Sequence, residues 1–211
     1  MEGYEGPAWA KDYIPEYSTE TLEQLAKEFP QVEDTVYLDH AAATLYSRSQ
    51  VEGVARDLAT SLPTNPHSGG HGAELMEEAR AKVIAFLGAS DYSLVFTSGA
   101  TAALRLAGEC WRWGPGGLVL HQESHTSAVG LREIATAAGA EVKVKSDEEV
   151  LKWLDEEVDM ASTLFCFPAM SNFNGRKLPL GWVGRVQSGG GAVLLDTAAL
   201  LATGPLVSGL L

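Results

Sequence analysis

The chain has 211 residues, and its 15 Lys plus Arg against 28 Asp plus Glu leave a formal net charge of −13. With 45% hydrophobic and 20% charged residues there is enough apolar material to exclude wholesale disorder. The length suits one large domain, or one domain plus part of another. So acidic a chain is expected to bind neither nucleic acid nor an anionic membrane surface, since both select positive charge.

Residues 1–17 read as an acidic, aromatic arm. They lead into a helix over 18–29, capped by Ser18 or Thr19, with Leu22, Leu25 and Phe29 on one face. The N-terminus has neither a basic n-region nor an apolar h-region, so no signal peptide is expected and the cytoplasm is the expected location. A short strand is predicted over 36–38. Val51, Val54, Ala55, Leu58 and Leu62 recur at helical spacing, and a turn-rich loop follows over 64–70. A further helix over 75–87 should end at Gly88. From there the pattern alternates. Strands are predicted over 93–97, 118–121, 141–145, 162–167 and 192–195, with helices over 101–113, 127–138, 148–158 and 179–187. The fold class is therefore α/β, a mostly parallel sheet flanked by helices. Residues 164–167 and 193–195 are apolar on both faces, as buried parallel strands should be. Residues 189–191, three glycines, read as a flexible connector. The apolar run 192–211 contains Asp196, Gly204 and Pro205, so a strand and loop fit it better than a membrane span. The two cysteines, Cys110 and Cys166, form neither a disulfide framework nor a metal-ligand spacing, and Cys166 is expected to be a buried, inert thiol. An N-terminal segment over 1–35 thus precedes a domain over 36–211.

Four places carry chemistry. Around Ser98-Gly99-Ala100-Thr101 a strand gives way to a helix, and the free N–H groups of the helix start form an anion cradle or an ordinary capped turn. Asp196 closes a strand on the edge where open α/β sheets bind ligands. It either caps the next turn or faces a ligand with a cationic partner. His125 follows another strand, as does Asn172, which otherwise shapes a turn beside Gly175. Together an anion cradle, an imidazole, an amide and a carboxylate suit a phosphorylated, cationic aromatic cofactor, and pyridoxal 5′-phosphate (PLP) fits.

The sequence resembles the class V, cysteine desulfurase-like branch of the PLP-dependent fold type I enzymes. The likeness rests on YLDHAAAT at 37–44, NPHS at 65–68, FTSGATAAL at 96–104, SHTSAVG at 124–130, LFCFPAMSNFNG at 164–175 and LLDTA at 194–198. Within the branch, the SNFNG stretch resembles the N-terminal desulfurase domain of the molybdenum cofactor sulfurases. The resemblance implies that Ala100 and Thr101 cradle the phosphate and that His125 stacks on the ring and handles protons. It implies that Asn172 bonds the ring oxygen and Asp196 pairs with the ring nitrogen. It places the loops 39–44 and 65–68 near the substrate. It implies L-cysteine and the molybdenum cofactor as substrates, with sulfur passed from one to the other, and a homodimer as the assembly. Two features depart from the family. Ala199 stands where many class V desulfurases carry a Gln. The family's Schiff-base lysine follows the Asp strand by a few tens of residues, whereas the last lysine here is Lys177. The sequence therefore resembles the front portion of such an enzyme. The alternatives are a catalytically inactive fragment or isoform, and another class V desulfurase or aminotransferase relative.

Overall fold

The computed structural model describes residues 17–40, 42–62, 64–156 and 159–204. The arm expected over 1–16, the end of the apolar run over 205–211 and the last two positions of the helix expected over 148–158 lie outside the described residues. The chain divides after Pro63 into two compact units.

In the first unit, α1 (Thr19–Glu28) starts where the Ser18 hydroxyl accepts the Thr21 N–H at 3.1 Å. Helix α2 (Arg48–Thr60) starts the same way at Ser47, which accepts the Gln50 N–H. The Glu28 carboxylate ties the two helices by accepting the Ser49 N–H at 3.1 Å and hydroxyl at 2.6 Å, and these bonds hold its pKa below the ordinary value. The strand expected over 36–38 does not form. Val36 and Leu38 are exposed on irregular backbone, with no paired strand among the described residues to take up their peptide groups.

The second unit opens with α3 (His71–Leu87), ended by Gly88 in the left-handed conformation at φ 65°. Helix α4 (Ala100–Cys110) follows. The alternating part then runs β1 (Leu118–His121), α5 (Thr126–Val129), α6 (Leu131–Ala137), β2 (Val142–Lys145), α7 (Asp147–Asp155), β3 (Leu164–Pro168), α8 (Trp182–Ser188), β4 (Ala192–Asp196) and α9 (Ala198–Leu201). The four strands form one parallel sheet in the order β2-β1-β3-β4.

Alternation along the strands sorts side chains onto two layers. Leu118, Leu120, Leu164 and Cys166 pack with Leu104 of α4 and with Ala128, Leu131 and Ala135 of α5 and α6. On the other face Val119, Phe165 and Phe167 pack with Val150 and Leu154 of α7 and with Trp182 and Val186 of α8. Phe165 and Phe167 stack at 4.9 Å, and Trp153 meets Phe165 edge-on at 5.5 Å.

Several expected boundaries differ. Residues 93–97 are irregular rather than a strand, with Val95 and Phe96 exposed and unpaired among the described residues. Helix α4 stops at Cys110, not Trp113, whose indole N–H instead donates to the freed Gly108 carbonyl at 3.0 Å. The helix expected over 127–138 breaks at Gly130 into α5 and α6. Strand β4 is half-buried where full burial was expected, because it lies at the edge of the described sheet, while central β3 is fully buried. The triple glycine is a packed turn, not a loose connector. Met160 N–H donates to Gly189 O at 3.0 Å, and a Cβ on Gly191 would come within 2.8 Å of Val186 Cγ1.

Candidate functional site

The C-terminal ends of β1, β3 and β4 lie side by side. Leu120 is opposite Cys166, and Pro168 is opposite Asp196. After β1 the chain turns to the α5 face, and after β3 it leads to α8 on the other face. That divergence opens a crevice of the kind in which open α/β sheets take ligands.

Helix α4 points its start toward this edge. Gly99 precedes it at φ 145°, a backbone that favours glycine, and offers no side-chain cap. The first backbone bond of the helix is Ala103 N–H to Gly99 O at 3.1 Å, so the preceding N–H groups are free to receive an anion. Ala100 and Thr101 are exposed there. The Thr101 hydroxyl lies 2.8 Å from Ser127 Oγ, which in turn lies 3.0 Å from His125 Nδ1. The Ser127 N–H also donates to Nδ1 at 3.2 Å. With Nδ1 accepting, the neutral ring carries its proton on Nε2. His125 itself is exposed, so Nε2 and the ring faces are open to a ligand.

Alternation places Asp196 on the α4 face with Leu194 and Cys166. Its Oδ1 accepts the Ala198 N–H at 3.0 Å and so caps the turn into α9. The expected cationic partner is not found among the described residues. Half-burial leaves the carboxylate hydrated, which removes the need for an internal cation. Asn172 lies in the turn after β3, exposed and without a side-chain hydrogen bond among the described residues. The local turn bond is made by Asn174, whose Oδ1 accepts the Arg176 N–H at 2.9 Å. Four strand ends were expected to meet here. The structure brings together three strand ends and one helix start, because residues ahead of α4 form no strand.

Of the two loops expected near the substrate, the one in the first unit is irregular over 39–40 and 42–44, with the Tyr37 hydroxyl donating to Ala43 O at 2.5 Å. In 65–68 the Asn65 side chain accepts the His67 N–H at 2.9 Å to start a 3-10 turn. Cys166 is fully buried beneath Asp196, and burial, aided by that carboxylate, pushes its thiol up to about 12. No helix among the described residues is long and apolar enough to cross a membrane.

A polar cluster on the α7–α8 side of the same edge escaped the sequence reading. His121 is 1% exposed at the end of β1. Its Nδ1 accepts the Glu123 N–H at 3.2 Å, so its Nε2 proton goes to Asp147 Oδ1 at 2.8 Å. Arg176 reaches Asp147 through two N–H groups, at 2.5 and 3.0 Å, and Glu123 Oε1 at 2.5 Å. Burial lowers the His121 pKa. The Arg176 fork holds the Asp147 carboxyl below its usual range, and the two carboxylates raise the Arg176 pKa further. Burial opposes ionisation of Glu123, but Arg176 outweighs it and the net shift is downward. A single signal could have pointed here: a histidine ending an otherwise apolar strand, followed two residues later by a glutamate.

The solved structures of two other proteins share this architecture. An apo cysteine desulfurase from Thermococcus onnurineus NA1 superposes with a TM-score of 0.66 over 83% of this chain and 47% of its own, at 21% identity. A mutant of C-DES, with glycine covalently linked to its PLP cofactor, superposes with a TM-score of 0.64 over 82% of this chain and 49% of its own, at 15% identity. The fold is thus that of the fold type I enzymes, and at these identities the likeness concerns the fold alone. The family follows from sequence: the aminotransferase class-V profile matches residues 36–206, and the chain belongs to that family. Among curated relatives, molybdenum cofactor sulfurase from Bos taurus is 38% identical over 90% of this chain. The chain spans about a quarter of the length of that relative, 25%.

Proposed function

We propose that residues 36–211 form the cofactor-cradling part of a PLP-dependent sulfurtransferase of the molybdenum cofactor sulfurase type. It would act in the cytoplasm, taking sulfur from L-cysteine for delivery to the molybdenum cofactor. The observation that carries this reading is the hydrogen-bonded chain from Thr101 through Ser127 to His125 at the open start of α4, on the same sheet face as Asp196. The free N–H groups of Ala100 and Thr101 and the Thr101 hydroxyl suit a phosphate dianion. Asp196 keeps one carboxylate oxygen beyond its cap, which suits a protonated ring nitrogen. Asn172 offers an unengaged amide for a ring oxygen, and His125 offers a ring face and a protonated Nε2. When bound, PLP supplies an electron sink that weakens bonds to the substrate α-carbon. The chain's own part is to bind, to orient and, at His125 Nε2, to hold or move a proton.

A second reading is a chain that holds the cofactor without catalysing. It is favoured by the described lysines, none of which makes a hydrogen bond or ion pair with Thr101, His125, Asn172 or Asp196. One experiment addresses both readings: titrate the chain with PLP by absorbance and fluorescence, then reduce with borohydride and map the adduct. Saturable binding that Asp196→Ala and Thr101→Val each weaken about tenfold or more supports the cradle. An adduct on a single lysine would support a covalent anchor and count against the second reading. PLP uptake unaffected by either substitution would overturn the assignment of the site.

A further inference from the structure

We infer that Arg176 is a positioning residue, latching the loop that carries Asn172 to the loop that carries His125. The inference rests on the reading of those two residues as ligand contacts. Glu123 is two residues before His125, and Arg176 is four residues after Asn172. The strands that feed these loops, β1 and β3, are neighbours, but their loops diverge to opposite faces of the sheet. Something must tie the two loops together if the imidazole on one and the amide on the other are to keep a fixed separation.

The guanidinium makes that tie, on the α7–α8 side of the edge. One N–H group of Arg176 reaches Glu123 Oε1 at 2.5 Å, while two others hold Asp147, at the start of α7, at 2.5 and 3.0 Å. A planar fork can serve two carboxylates in this way, whereas a lysine is a point charge. The buried His121 backs the arrangement. It donates to Asp147 and accepts the Glu123 N–H, so both carboxylate-bearing segments refer to one immobile ring packed 5.7 Å from Trp182. The latch then passes to Asn172 through the backbone. Arg176 O accepts the Ser171 N–H at 2.8 Å, and Ser171 O accepts the Gly175 N–H at 3.0 Å. Gly175, at φ 73°, makes the reversal that brings residues 171 and 176 together. The guanidinium thus anchors the residue whose backbone carbonyl holds Ser171, next to Asn172. Without Arg176, Glu123 and Asp147 are two carboxylates sharing one crowded corner with no cation between them.

The test is amide hydrogen exchange on the chain, with PLP binding as a second readout. Four amides report the latch: Glu123 and Ser124, whose acceptors are His121 Nδ1 and O, and Ser171 and Gly175. In Arg176→Met all four are expected to exchange on the order of tenfold faster or more, with the amides of α4 and α6 unchanged. Glu123→Gln keeps the Arg176–Asp147 pair, so it keeps the fold should Arg176→Met lose it. It is expected to accelerate the same four amides by a smaller factor. Arg176→Lys restores the charge without the fork, and is expected to recover protection in one loop only. PLP affinity, corrected for the folded fraction, should fall on the order of tenfold in Arg176→Met, a change that an ion pair serving stability alone would not produce. Exchange that speeds up only over 171–176, or in neither loop, in both Arg176→Met and Glu123→Gln overturns the latch. So does unchanged PLP affinity in Arg176→Met. If the wild-type chain takes up no PLP, the cofactor reading fails, and the four amides still decide whether Arg176 couples the loops.

Discussion

Ser127 stands between the Thr101 hydroxyl at 2.8 Å and the His125 ring at 3.0 Å, and its own N–H also holds that ring at 3.2 Å. The two contacts separate cleanly by mutation. Ser127→Ala removes the hydroxyl but keeps the N–H, so His125 retains its tautomer and loses its tie to Thr101 and the proposed phosphate cradle. A net hydrogen bond is worth about 0.5–1.5 kcal/mol, so PLP affinity should fall about 2- to 13-fold, read by fluorescence titration, with little change in the unfolding midpoint. The two cysteines differ as sharply. Cys110 is exposed, whereas Cys166 is buried with its thiol pushed up to about 12. A thiol reagent should label Cys110 in the folded chain and reach Cys166 only on unfolding; rapid labelling of both at neutral pH would contradict the packing of β3. The Cys166 environment was readable from its apolar neighbours Phe165 and Phe167. The Thr101–Ser127 contact was not, because it joins residues 26 apart whose meeting depends on how α4 lies across the sheet.

Helix α7 shows how closely an element's start can be specified. Ser146 Oγ accepts the Glu149 N–H at 3.3 Å, and the Glu149 carboxylate accepts the Ser146 N–H at 2.8 Å, a reciprocal capping box. Those bonds also lower the Glu149 pKa. Ser146→Ala should cost about 1 kcal/mol in a denaturant midpoint shift. Because α7 begins with Asp147, the same change should loosen the Arg176 cluster. At the start of β1, Gly117 has φ 66°, and a Cβ there would fall 2.3 Å from the Glu141 carbonyl oxygen. That carbonyl accepts the Leu118 N–H at 2.8 Å, where β1 and β2 begin to pair. Gly117→Ala must therefore push the strands apart as well as strain the backbone. A loss of about 1–3 kcal/mol is expected from equilibrium unfolding. Helices with caps and stop signals were legible to within a few residues, as Ser18 and Gly88 show. The segments over 36–38 and 93–97 have strand-like composition but no strand partner among the described residues, and a strand exists only through its neighbour.

Across the second unit, pH acts through the cluster at the sheet edge. His121 has a folded pKa below the unfolded value of about 6.5 because burial disfavours its charge. As pH falls below that value the unfolded state binds the proton first, so stability declines. Asp147 and Glu123 also have depressed folded pKa values, and their contribution is present above their unfolded pKa and lost as pH falls through the folded one. All three effects have the same sign. Thermal or urea midpoints should be highest near neutrality and drop in two stages, the first beginning near about pH 6.5 and the second near about pH 4. His121→Gln should abolish the first stage and leave the second; an unchanged profile in that variant would show that His121 is not the group responsible.

The sequence by itself determined the alternation of strands and helices, the parallel sheet and the small-residue helix start at Gly99. It also placed His125 and Asn172 after strands and Asp196 at the end of one. Each of these follows from local pattern: a period of two or 3.6, a cap, a glycine at positive φ. Only the tertiary structure decided which strands are neighbours. Order β2-β1-β3-β4 puts the loops after β1 and β3 side by side and sends them to opposite faces. Only there do Glu123, Asp147 and Arg176 meet, from three segments up to 53 residues apart. Charge pairing at that distance leaves no trace in local periodicity. It arises because burying the aromatic layer of Phe165, Phe167 and Trp182 draws α7 and α8 onto one face, and the polar groups at its rim must then find partners in each other.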